Sequence, residues 1–120
     1  MGTIIEKAKK HIARQQQLPA LYTLTPQNAR KLRAVPRIAQ PVSPLASIQD
    51  VRIDVKDGDI VLRIYTPKNV GKLGAIVYIH GGGWVINSID TSDASCRLLA
   101  EKTGRIVVSV DYRLAPEYAF

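Results

Sequence analysis

Hydrophobic positions follow three different spacings along the chain. Between residues 3 and 17, Ile4, Ile5, Ala8 and Ile12 recur at helical intervals with Lys7, Lys10 and Arg14 mostly off that stripe, and Pro19 closes the pattern. This predicts an amphipathic helix. Thr25-Pro26 then offers an N-cap and a first helical residue, Ala29 and Leu32 make a short apolar stripe, and Val35-Pro36 ends it, so a second short helix is expected. Three prolines within residues 36–44 read as a stiff extended connector.

Beyond the connector the period falls to two. Val51, Ile53 and Val55 alternate with Asp50, Arg52, Asp54 and Lys56, Asp57-Gly58 supplies a pair that tolerates positive φ, and Ile60, Leu62 and Ile64 alternate on the far side. An antiparallel hairpin is expected. The runs Ala75 to Ile79 and Ile106 to Val110 lack polar alternation, as strands of a parallel sheet covered on both faces do. Between them Asp90 or Thr91 can cap a helix packed through Ala94, Leu98 and Leu99, and Gly104 can end it in the left-handed conformation. Strand, helix and strand at this length make a right-handed βαβ crossover, so the fold class is α/β: N-terminal helices, a hairpin, then a βαβ unit of a mostly parallel sheet.

Length and composition narrow the reading. At 120 residues and 46% hydrophobic content the chain holds one core at most. Neither apolar run approaches the roughly 20 residues of a bilayer span. The first ten residues alternate apolar and charged positions instead of forming a signal-peptide core, and Glu6 stands where a myristoylation motif wants Ser or Thr, so a cytoplasmic location is expected. Cys96 is the single cysteine and cannot form an intramolecular bridge or a multi-Cys metal site; it reads as a small buried hydrophobe. No cofactor and no metal are expected.

Charge separates two segments. Residues 1–40 hold eight basic side chains against Glu6 alone and carry the whole net charge of +7, while the remainder balances nine basic against nine acidic residues. We divide the chain into a basic helical segment with its Pro-rich connector, 1–45, and an α/β core, 46–120. A nucleic-acid arm would want stacking aromatics, yet Tyr22 is the only one before position 65. A membrane-surface helix would want Trp or Phe anchors, where the first helix has only isoleucines and an alanine. A solvated basic face, with no nucleic-acid partner, is the reading that remains.

The chemistry sits directly after the first buried strand, in His80-Gly81-Gly82-Gly83-Trp84. Open α/β sheets place their sites outside the carboxyl ends of the strands. A glycine run there can turn sharply and aim successive backbone N–H groups at one point, which is what an oxygen gaining negative charge in acyl transfer requires. Phosphate-binding fingerprints fail, because Ile86 stands where a third dinucleotide glycine belongs and no Gly-Lys-Ser/Thr follows.

The stretch VYIHGGGWVINSIDTSDASCRLLAEKTGRIVVSVDYRLAPEYAF resembles the hormone-sensitive lipase family of α/β-hydrolases through two signatures, HGGG at 80–83 and DYRLAPE at 111–117, with a βαβ unit between. The similarity covers residues 48–120 as the first four strands of the fold, and residues 1–45 resemble the family's N-terminal cap helices loosely. The resemblance implies an incomplete α/β-hydrolase fold acting on a small-molecule carboxylic ester. It implies that the amides of Gly82 and Gly83 form an oxyanion hole, that Gly81 and His80 shape the loop, and that Trp84 walls the acyl pocket. Trp84 is equally readable as a packing aromatic. Asp111, Arg113 and Glu117 are implied to shape a loop by ion pairing.

The departure from the family is large. No G-x-S-x-G elbow occurs in these residues, none of Ser43, Ser47, Ser88, Ser92, Ser95 and Ser109 lies between glycines in that pattern, and His11 and His80 are the only histidines. The chain is therefore expected to be the N-terminal portion of a serine ester hydrolase, inactive alone; the alternative is a non-catalytic remnant that pairs with another chain. The family's strand order, 1-2-4-3-5, would leave the strand of Ala75 to Ile79 with a free edge, so self-association is expected.

Overall fold

The computed structural model describes residues 3–34, 45–69 and 74–119. The Pro-rich connector, 36–44, lies outside the described residues. Helix α1 (Ile4–Gln16) starts with a capping box: Thr3 Oγ1 accepts from the Glu6 amide and Glu6 Oε2 accepts from the Thr3 amide. A short 3-10 turn (Leu21–Thr23) leads to helix α2 (Pro26–Arg33), where Thr25 caps and Pro26 takes the first turn as the sequence predicts. Helix α1 buries none of its residues and α2 buries Ala29.

Strands β1 (Leu45–Val55) and β2 (Gly58–Pro67) form the antiparallel hairpin, and β1 is longer than its alternating segment because an irregularity between Leu45 and Ser47 lets pairing continue to Pro67. Val55 pairs with Gly58, so the hairpin tip is Lys56-Asp57, one residue earlier than expected. Asp57 (φ 62) and Gly58 (φ 148) share the positive-φ geometry between tip and strand. Strand β3 (Ile76–Ile79), helix α3 (Asp93–Thr103) and strand β4 (Val107–Asp111) form the crossover unit, with β3 and β4 parallel and β4 antiparallel to β2. The sheet runs β1-β2-β4-β3.

Helix α3 covers one face of this sheet. Ile48, Tyr65, Val107 and Ile76 lie in one row across the four strands and pack with Cys96, Leu99 and Ala100. The helix thus packs through Cys96, Leu99 and Ala100, not through Ala94 and Leu98, both of which are exposed. Its N-cap is Ser92, without a side-chain cap. The expected caps are engaged elsewhere: Thr91 Oγ1 donates to the Ser88 carbonyl, and Asp90 accepts from Arg63. Gly104 ends α3 at φ 64, as its sequence position predicts. Cys96 is fully buried, and burial pushes its thiol above the usual range.

The next row on the α3 side is polar. Arg63, 3% exposed, donates through Nε and Nη2 to the Asp50 carboxylate and through Nη1 to Asp90 at 2.7 Å. Asp93 accepts from the Tyr65 hydroxyl and Arg97 Nε, and Arg63 Nη1 lies 3.4 Å from it. A buried guanidinium is tolerated only when paired, and this network welds the start of α3 to the hairpin. The Asp50 bonds hold Arg63 protonated, and burial raises the Tyr65 hydroxyl far above its ordinary range.

The opposite face carries Val51 and Ile53 of β1, Ile60, Leu62 and Ile64 of β2, Val108 and Val110 of β4, and Val77 and Ile79 of β3. This apolar face is not covered as the sequence pattern suggested: Val77 is 64% and Ile79 69% exposed. Strands β3 and β4 have the composition of two-sided burial, and α3 supplies cover on one side alone.

Candidate active site

Where β3 ends, His80 turns inward and is 3% exposed. Its Nδ1–H donates to the Gly81 carbonyl at 2.9 Å, and its ring stacks on Tyr112 beyond the end of β4. Nε2 is buried with no partner among the described residues. The Tyr112 hydroxyl, raised in pKa by burial and so held protonated, donates to the His80 carbonyl at 2.8 Å. Neighbouring parallel strands deliver these two residues together, since Ile79 pairs with Val110 in the register.

The loop that follows is fixed through its carbonyls. Gly81 O accepts from Asn87 Nδ2 as well as from His80. Gly82 O accepts from the Val85 and Ile86 amides, both at 3.1 Å, closing a tight turn. Trp84 O accepts from the Ala115 amide at 2.8 Å, and Val85 O accepts from Arg30 Nε at 2.8 Å. The amides of Gly82 and Gly83 are different: among the described residues no acceptor takes either. The carbonyls of Gly81, Gly82, Trp84 and Val85 are thus held, while the adjacent Gly82 and Gly83 amides donate to none of the described residues.

Backbone strain marks the same stretch. Trp84 holds φ 60, a conformation that a bulky residue adopts only when its surroundings impose it, and Asn87 stands at φ 73, which asparagine tolerates well. Gly82 stands at φ 138, and a Cβ there would lie 2.1 Å from the Ile86 carbonyl oxygen, so the turn closes only around glycine. At Gly83 a Cβ would meet nothing within 4 Å, because the residue borders open space.

That space is a cleft of about 370 Å³ bounded by Ile79, Gly83, Trp84, Val110, Tyr112 and Tyr118. Its walls are predominantly apolar, and Trp84 is 61% exposed. The five residues singled out from the sequence, His80 to Trp84, therefore lie at one end of β3 with an apolar cleft beside them. Tyr112 and Arg30 were missed. Tyr112 is within the DYRLAPE segment and could have been found there, whereas no local signal connects Arg30 to a loop 55 residues away.

The charged residues of DYRLAPE hold separate groups. Asp111 Oδ1 accepts from the Ile89 amide, and Arg113 donates to the carbonyls of Lys56 and Asp57 at the hairpin tip and lies over the Tyr118 ring. Among the described residues, Glu117 is the one of the three that forms an ion pair, with Arg30 at 2.7 Å. The expectation of ion pairing thus applies to Glu117, while Asp111 and Arg113 shape the loop through neutral backbone groups. Among the described residues no group of three or more His, Cys, Asp or Glu side chains could hold a metal, and no helix is long and apolar enough to cross a membrane.

Comparison with known proteins places this geometry. Residues 76–120 match the family model of the alpha/beta hydrolase fold. The chain is 42% identical over 82 residues to an arylesterase of Saccharolobus solfataricus, an alignment covering 68% of this chain and 27% of that protein. It is 44% identical over 94 residues to Esterase LipI of Mycobacterium tuberculosis, covering 76% of this chain and 29% of the relative. Among solved structures, the hyperthermophilic esterase of Pyrobaculum calidifontis superposes with a TM-score of 0.74 at 35% identity, covering 100% of this chain and 39% of that one. The chain thus spans less than a third of the length of these two curated relatives. Its sheet order, its glycine loop and its matched segment show that the chain belongs to the α/β-hydrolase fold family, of the hormone-sensitive lipase type, and corresponds to the N-terminal portion of that fold.

Proposed function

We propose that these residues supply the oxyanion hole of a carboxylic-ester hydrolase, with the Gly82 and Gly83 amides as its donors. The observation that carries this reading is the pair of adjacent Gly82 and Gly83 amides, without an acceptor among the described residues, in a turn held through the Gly81 and Gly82 carbonyls beside an apolar cleft that Gly83 lines. When a nucleophile attacks an ester carbonyl, the oxygen becomes an anion, and fixed donors stabilise that charge without reorganising; each is worth about 3 kcal/mol of barrier. His80 and Gly81 shape the loop through the bonds they share, and Trp84 walls the acyl side of the cleft. The described helices of the basic segment, α1 and α2, serve as the cap helices, joined to the loop through Arg30.

No G-x-S-x-G elbow is present in these 120 residues, so the serine, acid and histidine of a triad are not theirs, and the 120-residue chain alone turns over no ester. The relatives' names, arylesterase and esterase, support a small carboxylic ester as substrate. A second reading, a non-catalytic chain that pairs with another, is favoured by the exposed Val77 and Ile79.

The test is a chimera in which this chain replaces the matching part of the Pyrobaculum calidifontis esterase. Turnover of p-nitrophenyl esters is expected in the chimera and a loss of about 100-fold or more on Gly82→Pro, with the isolated chain silent. A folded chimera without turnover, or one indifferent to Gly82→Pro, overturns the reading.

A further inference from the structure

Arg30 reaches out of the last turn of α2 into the space between two loops distant in sequence. Its Nη1 and Nη2 bind the two oxygens of Glu117 at 2.9 and 2.7 Å, a bidentate fork that fixes the plane of the guanidinium. In that plane, Nη2 also donates to the Ala115 carbonyl at 2.7 Å and Nε to the Val85 carbonyl at 2.8 Å. Both carbonyls adjoin the strained residue on its C-terminal side: Val85 follows Trp84 in the chain, and the Ala115 amide holds the Trp84 carbonyl. The Val85 amide, in turn, closes the turn onto Gly82 O.

We propose that Arg30 is the positioning residue of the oxyanion loop, holding Trp84 in its left-handed conformation and so aiming the Gly82 and Gly83 amides. The proposal rests on the reading of those amides as oxyanion donors. A tryptophan at positive φ is strained and persists only where neighbours over-determine it. Arg30 ties the residue after Trp84 to the loop whose Ala115 amide holds the Trp84 carbonyl. Lysine cannot replace it, because one ammonium lacks the planar fork that serves a carboxylate and two carbonyls together. The oxyanion loop is thereby coupled to the N-terminal helical segment, which is otherwise remote from it in sequence.

Hydrogen exchange on the 120-residue chain tests the positioning directly. Arg30→Lys and Arg30→Ala should each speed exchange of the Val85, Ile86 and Ala115 amides by about tenfold or more, with the β4 amides of Val108 to Val110 unchanged. Unchanged exchange at Val85, Ile86 and Ala115 overturns the proposal, and so does equal acceleration throughout the chain in both variants, which would make Arg30 a general fold anchor. In the esterase chimera, Arg30→Lys should lower kcat about tenfold with KM held, since orientation of transition-state donors is lost while the cleft remains. Altered exchange with kcat intact also overturns it. The Gly82→Pro chimera reports separately on the oxyanion reading, so the two failures are distinguishable.

Discussion

The imidazole of His80 lies on the ring of Tyr112, with centroids 4.3 Å apart and planes inclined by 17°, and the Tyr112 hydroxyl donates back to the His80 carbonyl. One residue closes β3 and the other follows β4, so the pair ties together the two loops that leave the carboxyl end of the sheet. Stack and hydrogen bond are separable. Tyr112→Phe keeps the ring contact and should cost about 1 kcal/mol, whereas Tyr112→Ala removes both and should cost about 3 kcal/mol. Urea denaturation midpoints for the two variants check this; equal losses would show that the ring contributes nothing.

The Arg63 network makes a sharper claim about stability. Its side chain is 4% exposed while Asp50, Asp90 and Asp93 converge on it. Arg63→Met removes the cation that joins Asp50, Asp90 and Asp93 and should destabilise by about 3 kcal/mol, the low end for a broken buried pair because Asp93 keeps Arg97 and Tyr65 and Asp50 and Asp90 keep partial contact with water. Arg63→Lys preserves charge without the fork and should cost about half of that. Chemical denaturation of both variants reads the difference, and a methionine variant as stable as the parent would refute the network's role.

Glu117 gives a pH window. Its hydrogen bonds from Arg30 lower its pKa from 4.5 to about 2. A carboxyl whose folded pKa is depressed stabilises the fold above its unfolded pKa and loses that contribution as pH falls through the folded value. The link between α2 and the 115–117 loop should therefore be complete above about pH 5 and released between about pH 4.5 and 2. Proteolysis by pepsin across this range should show progressive exposure of α2, and Glu117→Gln should remove the pH dependence within the window. The same profile in both proteins would mean that another group controls docking.

Much of this architecture is legible in residues 1–120 because neighbours in sequence decide it. Thr25-Pro26 starts α2, Gly104 stops α3, and alternation on either side of Asp57 makes the hairpin, all through local caps and spacing. The face of α3 departs from its apolar spacing: Asp93 and Arg97 join the Arg63 network, and Cys96, Leu99 and Ala100 meet the sheet while Ala94 and Leu98 stay exposed. His80 to Trp84 announce themselves by composition. Arg30 does not, since its partners lie 55 to 87 positions away and no periodicity records such a contact.

The adjacent glycines of the loop should respond differently to the same methyl group. At Gly83 there is room for a Cβ, so Gly83→Ala should cost only the left-handed backbone penalty of about 1 kcal/mol. At Gly82 the Cβ would collide with the Ile86 carbonyl, and the turn closed by the Val85 and Ile86 amides must open; Gly82→Ala should cost about 3 kcal/mol. Thermal unfolding of the two variants checks the ranking, and Gly83→Ala proving the more harmful would contradict the loop geometry.

Self-association of the 120-residue chain should be driven by β3. Among the described residues β3 is hydrogen-bonded on one side only, by β4, so its outer row of backbone groups is open to another chain. Edges are ordinarily blunted by charge, proline or a bulge, and Ile76-Val77-Tyr78-Ile79 has none of these. The apolar face beside it adds side-chain attraction to backbone pairing, since Val77 and Ile79 stand mostly exposed there. Val77 is not the core residue its β-branched setting suggests, so Val77→Lys sacrifices little burial while placing a charge on both the edge and the face. Sedimentation at tens of micromolar should show oligomers for the parent chain and a shift toward monomer for Val77→Lys. A parent chain that sediments as a monomer would show that the edge and face are protected, and an oligomer insensitive to Val77→Lys would place the contact elsewhere, with the exposed isoleucines of α1, Ile4 and Ile5, as the surface to alter next.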